Sequence, residues 1–187
     1  MDDNRQTPTT SGNIKSDRGI LTGMFSDRES TERAYNSLSS RGYSKDEIDL
    51  MMSDETRKKY FDKDNDNDTE LGNKAMEGAG KGSAIGGTVG AIAGVIAALG
   101  TSLVIPGLGI VLAGPIAAGL AGAGAGGLTG GIIGALVGRG IPEERAKKYE
   151  SGIKNGKIVM GVKPRNDEDA RYLENEWKSS RAEDIYR

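Results

Sequence analysis

Between Gly82 and Gly138 the chain carries no charged residue. Those 57 positions hold 18 Gly, 12 Ala, 20 Ile, Leu or Val, five Ser or Thr and two Pro, whereas the other 130 of the 187 residues carry all 52 charges. An apolar stretch of this length has to be covered, by protein or by lipid. Everything else about the fold has to accommodate that block.

Within and beside it, glycine recurs at every fourth position in two rows. The first row is Gly78, Gly82, Gly86, Gly90 and Gly94; the second is Gly122, Gly126, Gly130, Gly134 and Gly138. Residues four apart share one helix face. Ile85, Val89, Ile92, Ile96 and Leu99 form a separate face at helical spacing. Glycine costs roughly 1 kcal/mol per helical position relative to Ala, so such rows make sense where they allow backbones to approach closely. Pro106-Gly107 is a turn signal. The block therefore predicts a glycine-zipper helical hairpin over residues 75–140, turning at Pro106 and Gly107. Each arm, at 1.5 Å per residue, would reach roughly 35 Å, against a hydrocarbon core of about 30 Å. Lys74 and Lys81 precede the arms and Arg139, Arg145, Lys147 and Lys148 follow, while the turn is uncharged. A membrane hairpin would then leave both termini cytoplasmic, at the inner membrane. The alternative is a soluble oligomer in which such hairpins bury one another.

The flanking sequence is polar and periodic. Residues 1–17 lack the apolar content to order themselves and have no secretory pattern. Gly19–Phe25 reads as a strand. Ser26-Asp27-Arg28-Glu29 fits a capping box, with a helix to about Arg41 that buries Ala34 and Leu38 and ends at Gly42. Glu47–Met52 alternates, placing Ile48, Leu50 and Met52 inward and Glu47 and Asp49 outward, as in an edge strand. Residues 53–74 read as a polar connection. Pro142 suits position N1 of a helix that buries Ala146, Tyr149 and Ile153 and stops at Gly156. Lys157–Lys163 is nearly continuous apolar, as in a central strand. A helix over Asp167–Ser180 carries Ala170, Leu173 and Trp177 on one face, and Ala182–Tyr186 suits a final edge strand.

Without residues 53–141 the order is β-α-β, helix, β-α-β. The expected class is α+β: a ferredoxin-like split βαβ sheet interrupted by the helical hairpin. The organisation is a disordered tail (1–17), two half-domains (18–58 and 141–187), an acidic linker (59–74) and the hairpin (75–140).

Chemistry is narrowed by what is missing. The chain has no Cys and no His, so thiol nucleophiles, disulfides and the commonest base and metal ligand are excluded. A net charge of −2 gives no electrostatic footprint for nucleic acid. Asp62, Asp64 and Asp66 imitate the start of a calcium loop, but Asn67 and Asn73 stand where Gly and Glu are needed. Gly80-Lys81-Gly82-Ser83 resembles a phosphate loop but has Ala75 and Gly82 at its two diagnostic positions. No catalytic residue, cofactor, metal or small-molecule substrate emerges.

Three stretches carry a resemblance. GILTGMFSDRESTERAYNSLSSRGYSKDEIDLMM resembles the opening of the bacterial heat-induced general stress protein family. VIPGLGIVLAGPIAAGLAGAGAGG and GIPEERAKKYESGIKNGKIVMGVKP resemble the glycine-zipper hairpin and the following unit of its long members. Together they cover 83 residues between positions 19 and 164. The resemblance implies a stress-linked bacterial protein and brings no catalytic residues. The expectation is a non-enzymatic stress-response protein that self-associates through the hairpin and contacts membrane lipid. A soluble structural homo-oligomer or filament is the alternative, and a small-ligand-sensing module the second.

Overall fold

A computed structural model of the chain describes residues 19–61, 103–105, 107, 109–122 and 131–187. These residues form an α+β unit. The strands are β1 (Leu21–Phe25), β2 (Ile48–Ser53), β3 (Leu103–Ile105), β4 (Ile110–Ala113), β5 (Ile158–Val162) and β6 (Glu183–Tyr186). The helices are α1 (Arg28–Ser40), α2 (Asp54–Phe61), α3 (Pro115–Gly122), α4 (Gly131–Val137), α5 (Glu143–Lys154) and α6 (Asp167–Ser179). The sheet runs β3-β4-β2-β5-β1-β6 with every neighbouring pair antiparallel.

Strand alternation sends side chains to two cores. Leu21, Phe25, Ile48, Leu50, Met52, Ile158, Met160 and Val162 face α1 and α6, meeting Leu38, Leu173 and Trp177. Met24, Met51, Ile110, Leu112 and Val159 face α3, α4 and α5, meeting Ile116, Ile132, Leu136, Tyr149 and Ile153. A strand covered on both faces has no polar side, which explains the unbroken apolar reading of β5.

The helix ends follow from local chemistry. Asp27, not Ser26, is the N-cap of α1: its carboxylate accepts the Ser30 amide at 2.8 Å, and the Ser26 hydroxyl instead donates to Glu183 Oε1. The one-residue difference arises because Asp caps as well as Ser does. At the other end the Tyr43 amide reaches Leu38 O and the Gly42 amide reaches Ser39 O, a Schellman motif. Pro142 is likewise one position outside its helix, as the N-cap of α5, with extended ψ of 141°.

Two expectations need correction. The first is the edge position of β2, which lies inside the sheet between β4 and β5. Its second neighbour comes from the apolar block: residues 103–105 and 110–113 are strands, so the turn containing Gly107 joins a β-hairpin rather than two long helices. Within that connection Gly107 has φ of +84°. The second correction concerns residues 53–74, whose first part is helical. Ser53 Oγ accepts the Thr56 amide and starts α2. The Arg28 guanidinium then donates to Tyr60 O and lies over the Phe61 ring. The remainder of the acidic linker and the N-terminal tail lie outside the described residues.

Candidate functional site

The site is built where the apolar block folds onto β2. Gly114 ends β4 with φ of +93°, and a Cβ there would stand 2.2 Å from Ile48 O and 3.0 Å from Asp49 Cα. Only glycine tolerates both the left-handed conformation and that approach. The chain therefore turns directly above β2, and α3 begins with Pro115 in its first turn, where a missing amide hydrogen costs nothing.

That turn aims the free N-terminal amides of α3 at Asp49. Asp49 Oδ1 accepts the Ile116 amide at 2.6 Å, and Oδ2 lies 3.8 Å from Arg139 Nη2. Asp49 is 2% exposed, far from the solvated position its alternation predicts, because α3 covers the face that a free edge strand would show to water. Burial pushes its carboxyl up to about 6; the Ile116 amide and the Arg139 guanidinium oppose the shift but do not cancel it.

Arg139 is held by the end of α4. The Gly140 amide donates to Val137 O and the Ile141 amide to Leu136 O, with Gly140 at φ of +87°. This Schellman closure buries Ile141 and fixes the backbone that carries Arg139 across from Asp49. The two charged groups border a cavity of about 630 Å³ together with Gly19, Ile20, Glu47, Pro115, Val137 and Lys163. Glu47 is already engaged: its carboxylate accepts the Ser44 amide and the Arg165 guanidinium, which hold it below the usual carboxylate range.

A polar row continues across the same sheet face. Asp49 pairs with Gly161 on β5, and Gly161 pairs with Thr22 on β1. The Tyr149 hydroxyl donates to Asp184 O at 2.6 Å, which leaves its oxygen to accept from Thr22 Oγ1 at 2.9 Å. Burial, the largest cause, pushes the Tyr149 phenol up to about 12.

Beside the cavity, α3 and α4 border a largely apolar groove of about 280 Å³ lined by Ile116, Gly119, Leu120, Gly134, Ala135 and Gly138, with Arg139 at its boundary with the cavity. Among the described residues, a Cβ at Gly119 or Gly134 would meet nothing within 4 Å. Gly122 closes α3 and Gly138 follows α4. The other members of the two glycine rows (Gly78, Gly82, Gly86, Gly90, Gly94, Gly126 and Gly130) lie outside the described residues, as do Pro106, Lys81 and the Asp62–Asp66 cluster. Among the described residues no helix is long and apolar enough to cross a membrane, and no three His, Cys, Asp or Glu side chains are grouped for a metal ion.

Comparison of the chain with family models, curated proteins and solved structures finds no match.

From the sequence Arg139 is a cation flanking the apolar block and Asp49 an outward strand position; neither is marked as part of a site, and Gly114 carries no role. The available signal was Gly114-Pro115, a left-handed turn followed by a first-turn proline, which marks a helix start inside the apolar block.

Proposed function

We propose that this chain is a non-enzymatic stress-response protein that acts by self-association, with a ferredoxin-like domain carrying the glycine-rich segment as its contact surface. The observation that carries the reading is the groove between α3 and α4. Among the described residues Gly119 and Gly134 stand open there, beside Val137 at 43% exposure, so a neighbouring backbone can come close without displacing a described side chain. The occupant is the equivalent segment of a second copy. The order β6-β1-β5-β2 within the sheet supports the ferredoxin-like description, with β3 and β4 added outside β2. The three stretches quoted above support the stress role.

A second reading, a lipid contact at the cytoplasmic face of the inner membrane, is favoured by the absence of charge across residues 82–138. One experiment separates the two. Gly119→Leu with Gly134→Leu places side chains where the chain has open space, so the fold is retained while a partner backbone is held away. Sedimentation velocity of the full chain should show the wild-type assembly reduced to monomer in the double variant, with an unchanged circular dichroism spectrum. Assembly identical to wild type removes self-packing through this groove. Flotation of the wild-type chain with anionic lipid vesicles, absent self-assembly, selects the membrane reading instead.

A further inference from the structure

We propose that the cavity between the start of β1, β2 and the end of α4 binds a small zwitterion, its ammonium group held by Asp49 and its carboxylate by Arg139. The volume of about 630 Å³ falls in the range of small-ligand sites, about 300–1,000 Å³.

The charges select the ligand. Among the described residues Asp49 has a donor on Oδ1 only; at 3.8 Å the Arg139 guanidinium is attracted to Oδ2 but is too far to hydrogen-bond to it. A carboxylate at 2% exposure with one donor has room for more, and a primary ammonium brings three of them together with a compensating charge. Arg139 makes no side-chain hydrogen bond among the described residues, and its fork geometry suits a carboxylate. The Glu47 carboxylate on the same wall is committed to Ser44 and Arg165. A simple anion would meet Asp49, and a simple cation would meet Arg139. Among the described residues no three carboxylates are grouped here for a divalent metal. A molecule bearing both charges satisfies both walls, and Ile20, Pro115 and Val137 offer its aliphatic part an apolar surface.

The test is amide NMR titration of the full chain at neutral pH with glycine, L-leucine and L-lysine as probes. A concentration of about 10 mM is enough to reveal a millimolar Kd. The expected result is saturable shifts at Gly19, Ile20 and Gly140 with at least one of the three. N-acetyl-L-leucine, without the ammonium, and L-leucinamide, without the carboxylate, should bind about tenfold more weakly or worse than leucine. Arg139→Gln, a substitution at a surface-accessible side chain that leaves both cores intact, should weaken binding by at least about tenfold. Asp49→Asn, which keeps an acceptor for the Ile116 amide, should do the same. No shift with any of the three probes overturns the proposal. So does equal binding of the blocked derivatives, or unchanged binding in the folded Arg139→Gln protein.

Discussion

The Ile116 amide donates to Asp49 Oδ1 at 2.6 Å, across 67 positions of sequence. A helix start within the apolar block is thereby capped by a side chain of β2, a strand inside the sheet. The positive end of α3 stabilises the anion, and the anion fixes where α3 begins. Unlike a local N-cap, this one reports whether the block is docked on the domain, because it exists only in that arrangement.

The same contact gives stability a sign with pH. Burial raises the Asp49 carboxyl from its ordinary 3.8 to about 6, so between those values the folded chain binds more protons than the unfolded chain. The Asp49 contribution to stability is therefore largest below pH 4 and is lost as pH rises through 6. The gap corresponds to about 3 kcal/mol at 1.36 kcal/mol per pH unit, to order of magnitude. Asp27, Glu47 and Glu183, whose carboxyls are held low, act in the opposite direction. Asp49→Asn isolates the one group: Arg139, Glu47 and Lys163 still line the cavity in both proteins. Urea denaturation from pH 4 to 7 should find the wild type losing stability relative to Asp49→Asn by up to about 3 kcal/mol. Parallel curves would mean that Asp49 is well solvated.

Gly114 is the position where a single methyl group should undo the docking. Its φ of +93° disfavours any L side chain, and the clash at 2.2 Å is with backbone of β2, which cannot rotate away. Gly114→Ala should cost about 3 kcal/mol or more, combining left-handed strain with overpacking. Hydrogen exchange should show protection at the Ile116 amide falling, while amides of β1 and β5 keep theirs. Wild-type protection at Ile116 would show that the turn relaxes without strain.

What was legible in the sequence divides along the same line. The elements before residue 53 and after residue 142 carry polar–apolar contrast, so caps and spacing locate α1, α5, α6 and β5 to within a residue or two. β3 and β4 carry none. Leu103–Ile105 and Ile110–Ala113 lie in a run without charge, where periodicity alone does not separate a short strand from a helix segment. The turn at Gly107 was visible, but not which kind of element it joined. That ambiguity propagated: with β4 unseen, β2 became an edge strand and Asp49 a solvated residue. The one acid on that strand that matters to the site was thus assigned to water.

Tyr149 and Thr22 form the second buried polar contact on this sheet face. Tyr149→Phe removes the donor to Asp184 O and leaves the Thr22 hydroxyl, at 0% exposure, without its acceptor. A cost of about 1–3 kcal/mol is expected. Thr22→Val in the Tyr149→Phe background removes the stranded hydroxyl and should recover part of the loss, so a double-mutant cycle should give a non-additive term of at least about 0.5 kcal/mol. Strict additivity would mean that the two hydroxyls do not depend on each other.

Trp177 anchors the opposite core, and its two ends predict different outcomes. The ring lies 5.8 Å from Phe25 in an edge-to-face arrangement and covers Gly23, where a Cβ would be 3.0 Å from its Cε3. The indole Nε1 is buried with no acceptor among the described residues. Trp177→Ala should cost about 3–5 kcal/mol from lost burial and the cavity it leaves. Trp177→Phe keeps the aromatic contact and abolishes the stranded donor, so the two effects oppose each other. Losing part of the ring costs about 1–2 kcal/mol, and an unmade buried hydrogen bond costs about 1–3 kcal/mol. Urea denaturation should therefore place Trp177→Phe within about 1.5 kcal/mol of wild type, far from Trp177→Ala. If both variants lose equally, the indole is stabilising through a contact of its five-membered ring, and the buried Nε1 carries no penalty.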